Sequence, residues 1–160
     1  MIVRPLNQKD KTVFDKIFTE SVEEYFPEYS ERLRKHFGSA AYVDKSFNSP
    51  IRIGAFENEE LIGYLLSDSQ IGGVVQIHWL AVLRKYRGKG VGSALLKELE
   101  EMAVKEGAHN IQLYSDEVNL EFYKKNRYEI LGFDKKGYYG TDNYLMKKLI
   151  QEPKEESFFK

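Results

Sequence analysis

Apolar residues recur at helical spacing from Asp10 to about Glu24, with Val13, Phe14, Ile17, Phe18 and Val22 on one predicted face. "IVRPL" (2–6) ahead of it reads as a short strand stopped near Pro5, and Pro27 closes the helix. "EYSERLRKHFG" (28–38) predicts a second helix ending at Gly38, and 39–50 predicts a loop up to Pro50. The pattern then changes. "IRIGAFE" (51–57) and "ELIGYLLSD" (60–68) predict two strands joined by a tight turn, and "GVVQIHWLAV" (73–82) a longer third. "VGSALLKELEEMAVKEG" (91–107) returns to helical spacing, with Val91, Ala94, Leu95, Leu99 and Met102 on one face. Lys97, Glu98, Glu101 and Lys105 lie off that face, and Gly107 is the stop. "HNIQLYS" (109–115) predicts a strand, and "DEVNLEFYKKN" (116–126) a short helix with Asp116 as N-cap. "RYEILGF" (127–133) and "NYLMKKLI" (143–150) predict the last two strands. The order βααβββαβαββ is that of one mixed α/β domain, about seven strands with about four helices.

Composition narrows the function. With 42% hydrophobic and 31% charged residues, the 160-residue chain is globular rather than disordered. A net charge of −1 leaves no broad basic surface, so nucleic acid is not an expected partner. The absence of cysteine excludes disulfides, thiolate metal sites and thiol nucleophiles. His36, His78 and His109 show no metal-ligand spacing, so no metal is expected. No apolar run reaches membrane-spanning length, and "MIVRPLNQKDK" lacks the apolar core of a signal peptide. The expectation is a cytoplasmic protein with no membrane partner. The charged segment "QEPKEESFFK" (151–160) is expected to be a loose tail packing through Phe158 and Phe159.

Chemistry concentrates in "YRGKGVGSALL" (86–96), where Gly88, Gly90 and Gly92 alternate with Arg87, Lys89 and Val91 just before a helix. Glycines there let a ligand approach the backbone, and the unpaired N–H groups of a helix start attract an anion. Arg87 and Lys89 add positive charge. The dinucleotide fingerprint is incomplete, because Ser93 stands where its third glycine would be. The P-loop pattern is also absent. A purely structural turn, or a nucleotide site for ATP or NAD, are the competing readings.

Arg87-Gly88-Lys89-Gly90-Val91-Gly92 resembles the Arg/Gln-x-x-Gly-x-Gly/Ala signature of the GNAT superfamily of N-acetyltransferases. "WLAVLRKYRGKGVGSALL" is similar to that family's fourth strand, loop and third helix, and "FYKKNRYEILGF" to its late F-Y-x-K-x-G-F segment. The resemblance implies a single GNAT-like domain over residues 1–150, followed by the charged tail 151–160. Its α/β (α+β mixed) fold would have a central mixed, mostly antiparallel sheet. It also implies acetyl-CoA as cosubstrate. The pyrophosphate would lie on Arg87, Gly88, Lys89, Gly90, Val91, Gly92 and Ser93, and the pantetheine arm would pair with Leu80, Ala81 and Val82. A backbone N–H in that strand would stabilise the oxyanion.

Tyr123 falls on the family's tyrosine acid, which gives a proton to the departing thiolate. Asp116 stands where the family often has a cofactor-contacting Asn, and Asn119 is the alternative. The family's Gly-Phe becomes Arg127-Tyr128, so packing there must differ. The glutamate base that one branch carries corresponds to Ile111. His78, nine residues before Arg87, matches another branch's base position, and a water chain is the alternative. Tyr138 and Tyr139 resemble the Tyr-Tyr of peptide α-amine acetyltransferases. Tyr25, Phe26, Tyr29, Tyr42 and Phe47 occupy the region that shapes the acceptor pocket. The implied reaction acetylates a primary amine on a small molecule, polyamine, peptide or protein. A catalytically inactive acyl-CoA-binding regulatory module is the alternative. A homodimer is left open.

Overall fold

The computed structural model describes residues 1–25, without the Tyr25 side chain, and 29–159. Phe26, Pro27 and Glu28, and with them the expected helix stop at Pro27, lie outside the described residues. In chain order the elements are β1 (Ile2–Pro5), α1 (Lys11–Tyr25), α2 (Glu31–Phe37), α3 (Ala40–Phe47), β2 (Ile51–Glu57) and β3 (Glu60–Ser67). β4 (Val74–Val82), α4 (Val91–Lys105), β5 (Asn110–Ser115), α5 (Leu120–Lys125), β6 (Glu129–Asp134) and β7 (Asn143–Leu149) follow. The strands form one mixed, mostly antiparallel sheet in the order β1-β2-β3-β4-β5-β7-β6, with β4 and β5 parallel.

The expected loop over 39–50 contains α3, which makes five helices among the described residues rather than four. Ser39 caps it by accepting from the Tyr42 N–H, and Val43, Ser46 and Phe47 turn one face inward. Val13 is exposed, so the buried face of α1 is Phe14, Ile17, Phe18, Ser21 and Val22. The buried face of α4 is Val91, Leu95, Leu96, Leu99 and Ala103, while Ala94 and Met102 are half-buried. The segment expected as one helix over 116–126 is a 3-10 turn, Glu117–Asn119, followed by α5.

The chain divides into two compact units. The first comprises Met1–Leu66 and Trp79–Leu95. Its core is aromatic. Phe18 packs 5.0 Å from Trp79 and 5.7 Å from Tyr64, and Phe14 packs 5.2 Å from both Phe47 and Tyr64. Phe37 of α2 adds a contact with Trp79 at 5.9 Å, so large rings with few rotamers join the three N-terminal helices to β3 and β4. β2 and β3 turn at Asn58 and Glu59, both at positive φ, as a tight hairpin requires. Near the chain start Arg4 grips Asp10 through two hydrogen bonds of 2.8 Å, and the Asn7 N–H donates to the same carboxylate.

The second unit comprises Ser67–His78 and Leu96–Lys160. There Val74–Ile77 of β4 pairs with Asn110–Leu113 of β5. Val75, Ile77, Leu96, Leu99, Ile111, Leu113 and Met146 are among its buried apolar residues, together with Leu120, Tyr123 and Tyr128. The segment after β7 docks through Ser157, whose hydroxyl donates to the Gly107 carbonyl at 2.8 Å. Phe158 packs tilted against His109 at 5.5 Å, whereas Phe159 is exposed.

The β3–β4 register carries an irregularity. Asp68 N–H donates to Gln76 O and Leu83 N–H to Ile62 O, so seven residue steps of β4 oppose six of β3. One extra residue is therefore inserted in β4 between Gln76 and Leu83, which is the count of a β-bulge.

The Arg4 side chain, followed by the Asn7 N–H, holds the Asp10 carboxyl below its ordinary range against the opposing effect of burial. A carboxyl depressed in the folded state stabilises fully above its unfolded pKa, and that stability is lost as pH falls through the folded value. Asp10→Asn should therefore cost about 1–3 kcal/mol at pH 7 in denaturant unfolding, with the gap to wild type closing below about pH 4.

Candidate functional site

The glycine loop lies in the first unit, between β4 and α4. Gly88 and Gly90 sit at φ +71° and +81°, in the left-handed region that favours glycine, and a Cβ at either would meet nothing within 4 Å. The space above the loop is open to a ligand. Gly92 differs, being buried in the first turn of α4. Ala94 N–H already bonds Gly90 O, while the N–H groups of Val91, Gly92 and Ser93 belong to the turn that has no intrahelical acceptor. The positive end of a 15-residue helix thus opens onto a bare loop.

Four cations surround it. Arg84 Nε and an Arg87 terminal nitrogen both reach Glu24 Oε1 of α1, at 2.9 and 3.1 Å. Arg87 Nε also donates to Val82 O at 3.1 Å. Lys85 pairs with Glu60 at 2.8 Å, and Tyr86 OH donates to the same carboxylate at 3.0 Å. Lys89 and Lys85 lie over the Tyr86 ring, 5.5 and 4.9 Å from its centre. The hydrogen bonds from Lys85 and then Tyr86 lower the Glu60 pKa. Glu24 and Glu60 were not legible as site residues, because each meets its cations across a long stretch of chain.

On β4, Ala81 is buried while Leu80 and Val82 are half-buried. Gly63 of β3 backs this stretch so closely that a Cβ there would stand 2.9 Å from Ala81 O and 3.2 Å from a Val91 methyl. Gly63 is a second residue that the sequence pattern did not single out.

The other candidates lie in the second unit. His78 is exposed, and its Nε2 is 2.8 Å from Asp68 Oδ2. The expectation that His78, Leu80 and Val82 share a face assumed an unbroken strand, and the extra residue of β4 falls within the stretch that contains them. Ile111 is fully buried in β5. Asp116 caps the turn after β5, and its Oδ1 accepts from the Asn119 N–H at 3.1 Å and from Asn119 Nδ2 at 2.7 Å. The two residues are therefore coupled. Tyr123 on α5 is buried, edge-on to Tyr128 at 5.9 Å. Burial, and then the charge of Asp116, push the Tyr123 hydroxyl above the ordinary phenol value. Arg127 holds φ +67°, a glycine-like conformation at the position where the resembled motif has glycine.

The expected acceptor aromatics divide. Phe47 is core, at 0% exposed, whereas Tyr29 and Tyr42 are partly buried against the aromatic cluster. Phe26 and the Tyr25 side chain lie outside the described residues. Tyr138 and Tyr139 are exposed, and Tyr138 stands edge-on to Tyr114 at 5.2 Å. Among the described residues no cluster of metal-ligating side chains occurs, and no helix is long and apolar enough to cross a membrane.

The acetyltransferase (GNAT) family model matches residues 13–127. The uncharacterized N-acetyltransferase YjcF of Bacillus subtilis (strain 168) is 28% identical over 92 residues, 56% of this chain. That match spans 63% of the relative's length. An aminoglycoside 6'-N-acetyltransferase complexed with coenzyme A superimposes with a TM-score of 0.76 at 21% identity, over 96% of this chain and 99% of that one. The PaiA N-acetyltransferase from Thermoplasma acidophilum, in complex with coenzyme A, gives 0.73 at 25% identity, over 92% and 98%.

Glu24 occupies two of the four cations around the loop. Glu24→Gln should remove the negative charge that draws Arg84 and Arg87 toward α1 and so favour a phosphate-bearing ligand. Coenzyme A binding, measured by calorimetry at low salt, should tighten about 3–10-fold, and the gain should shrink as salt is raised.

Proposed function

Because this chain belongs to the GNAT family of acetyltransferases, whose acyl donor is acetyl-CoA, we propose that it is an N-acetyltransferase acting on a primary amine. The observation that carries the reading is the loop itself. Two left-handed glycines leave open space above unpaired helix-start N–H groups, among four cations. Pyrophosphate is a ligand that such a site suits.

In this reading Arg87, Gly88, Lys89, Gly90, Val91, Gly92 and Ser93 bind the pyrophosphate. The pantetheine arm runs along Leu80, Ala81 and Val82. The extra residue in β4 interrupts the regular ladder there, and a backbone N–H of this stretch is the donor suited to the thioester oxyanion. The amine nitrogen attacks the carbonyl carbon, the carbon–sulfur bond breaks, and the thiolate takes a proton from Tyr123. The proton lost by the amine goes to His78 or to water. Nε2 of His78 faces Asp68, which orients the ring and leaves Nδ1 to accept. Asn119, tied to Asp116, is the candidate for a further cofactor contact. The acceptor is an amine on a small molecule, polyamine, peptide or protein.

The burial of Tyr123 favours one rival, a module that binds acyl-CoA without turnover. A thiol-release assay across an amine library, run beside acetyl-CoA calorimetry, separates the two: binding with no turnover on any amine sinks the transferase reading. Gly90→Ala should lose acetyl-CoA binding, because its Cβ enters space that the ligand needs and its positive φ strains the loop; a circular dichroism spectrum and Tm close to wild type check that the effect is confined to the loop. Tyr123→Phe should lower kcat by roughly 10²–10⁴-fold with cofactor affinity unchanged. Since the raised phenol stays protonated, wild-type kcat should hold its plateau past about pH 10, where an ordinary tyrosine acid would fail.

A further inference from the structure

α5 ends in a Schellman turn. The Arg127 N–H donates to Lys124 O at 2.9 Å and the Tyr128 N–H to Tyr123 O at 3.0 Å. That turn puts Arg127 in the left-handed region, at φ +67°, where glycine is the usual residue. A side chain there strains the backbone. Among the described residues the Arg127 guanidinium has no ion pair or hydrogen bond that would offset the strain. A strained arginine that the fold does not use points to a use outside the fold.

Arg127 lines an open groove of about 600 Å³ in the second unit, formed with the C-terminal half of α4 and the end of β7. Four cations in its lining stand against two carboxylates. Both Glu100 oxygens accept from Lys148 Nζ at 2.7 Å, in a pair whose side chains are only 20% and 18% exposed. Lys97 and Glu101 lie 3.8 Å apart and offset each other. Arg127 and Lys105 remain, and among the described residues neither has a carboxylate within ion-pair distance. Lys105 sits in the last turn of α4, whose carbonyls attract it, so Arg127 is the cation freest to turn to a ligand. The rest of the lining is apolar. Val104 is 39% and Leu149 60% exposed, and Ile150 is half-buried. We propose that this groove binds a small organic anion, with Arg127 and Lys105 on a carboxylate or phosphate head and Val104, Leu149 and Ile150 along an apolar body. No residue of the glycine loop lines the groove, and binding there needs no acetyl transfer.

Hexanoate, hexyl phosphate, inorganic phosphate and hexylammonium, each titrated at low salt while the backbone amide shifts are followed by NMR, test this. Hexanoate or hexyl phosphate should bind with a Kd of about 0.1–1 mM and shift Lys105, Arg127 and Leu149 most. The tighter of the two names the head group. Inorganic phosphate lacks the apolar body and hexylammonium reverses the charge, so each should bind at least about 10-fold more weakly. Arg127→Gly should weaken the tighter ligand about 10-fold and raise the Tm by about 2–8 °C, because glycine relieves the strain. Saturating coenzyme A should leave the anion's Kd unchanged. The proposal is overturned if neither hexyl anion shifts those residues at about 10 mM. It is also overturned if inorganic phosphate or hexylammonium binds as tightly. An Arg127→Gly protein that binds like wild type, or that melts no higher, overturns it as well. Displacement of the anion by coenzyme A would assign the groove to the cofactor and has the same result. None of these outcomes bears on acetyl transfer, which the thiol-release assay tests separately.

Discussion

A single missing side chain sets the geometry of the first unit. At Gly63 the backbone of β3 lies so near β4 and the start of α4 that a methyl group would press on Ala81 O and Val91 together. Val91 is the first residue of α4, and the glycine loop ends against it. The loop is thus anchored at one end by Leu83 N–H bonding Ile62 O, and at the other by Val91 over Gly63. A loop that is bare on its outer side needs such anchors, because it makes few contacts of its own.

Charge completes what packing begins. Arg84 and Arg87 are drawn toward α1 by one shared carboxylate, and Lys85 toward β3 by another. The loop thus carries stored counter-charges from neighbouring elements. In the proposed reading, an entering phosphate would compete with Glu24 for the arginines.

Much of this was legible in the residue order, for a physical reason in each case. Strands 51–57 and 60–68 are bounded by turn residues and continuous apolar runs, and β2 and β3 occupy nearly the same spans. The loop could be read because left-handed φ is encoded by glycine itself. α3 escaped because its inward face is only Val43, Ser46 and Phe47, spread over two turns and interrupted by Asp44 and Lys45. Val13 misled because one apolar residue at the margin of a helical stripe can face water without large cost. Glu24, Glu60, Asp68 and Gly63 act through partners distant in the chain or in the neighbouring strand, and periodicity does not report such pairs. The extra residue of β4 is a property of register between two strands, which neither strand shows alone.

The interleaving of the two units has a bearing on synthesis. Every residue of the first unit exists once position 95 has left the ribosome, so its aromatic core can close early. The second unit also draws on Ser67–His78, made long before its partners, and it is completed when Ser157 and Phe158 reach Gly107 and His109. At a typical elongation rate, about 3–13 s separate those two points. Throughout that interval Val75 and Ile77 project from a nascent chain with no β5 to cover them.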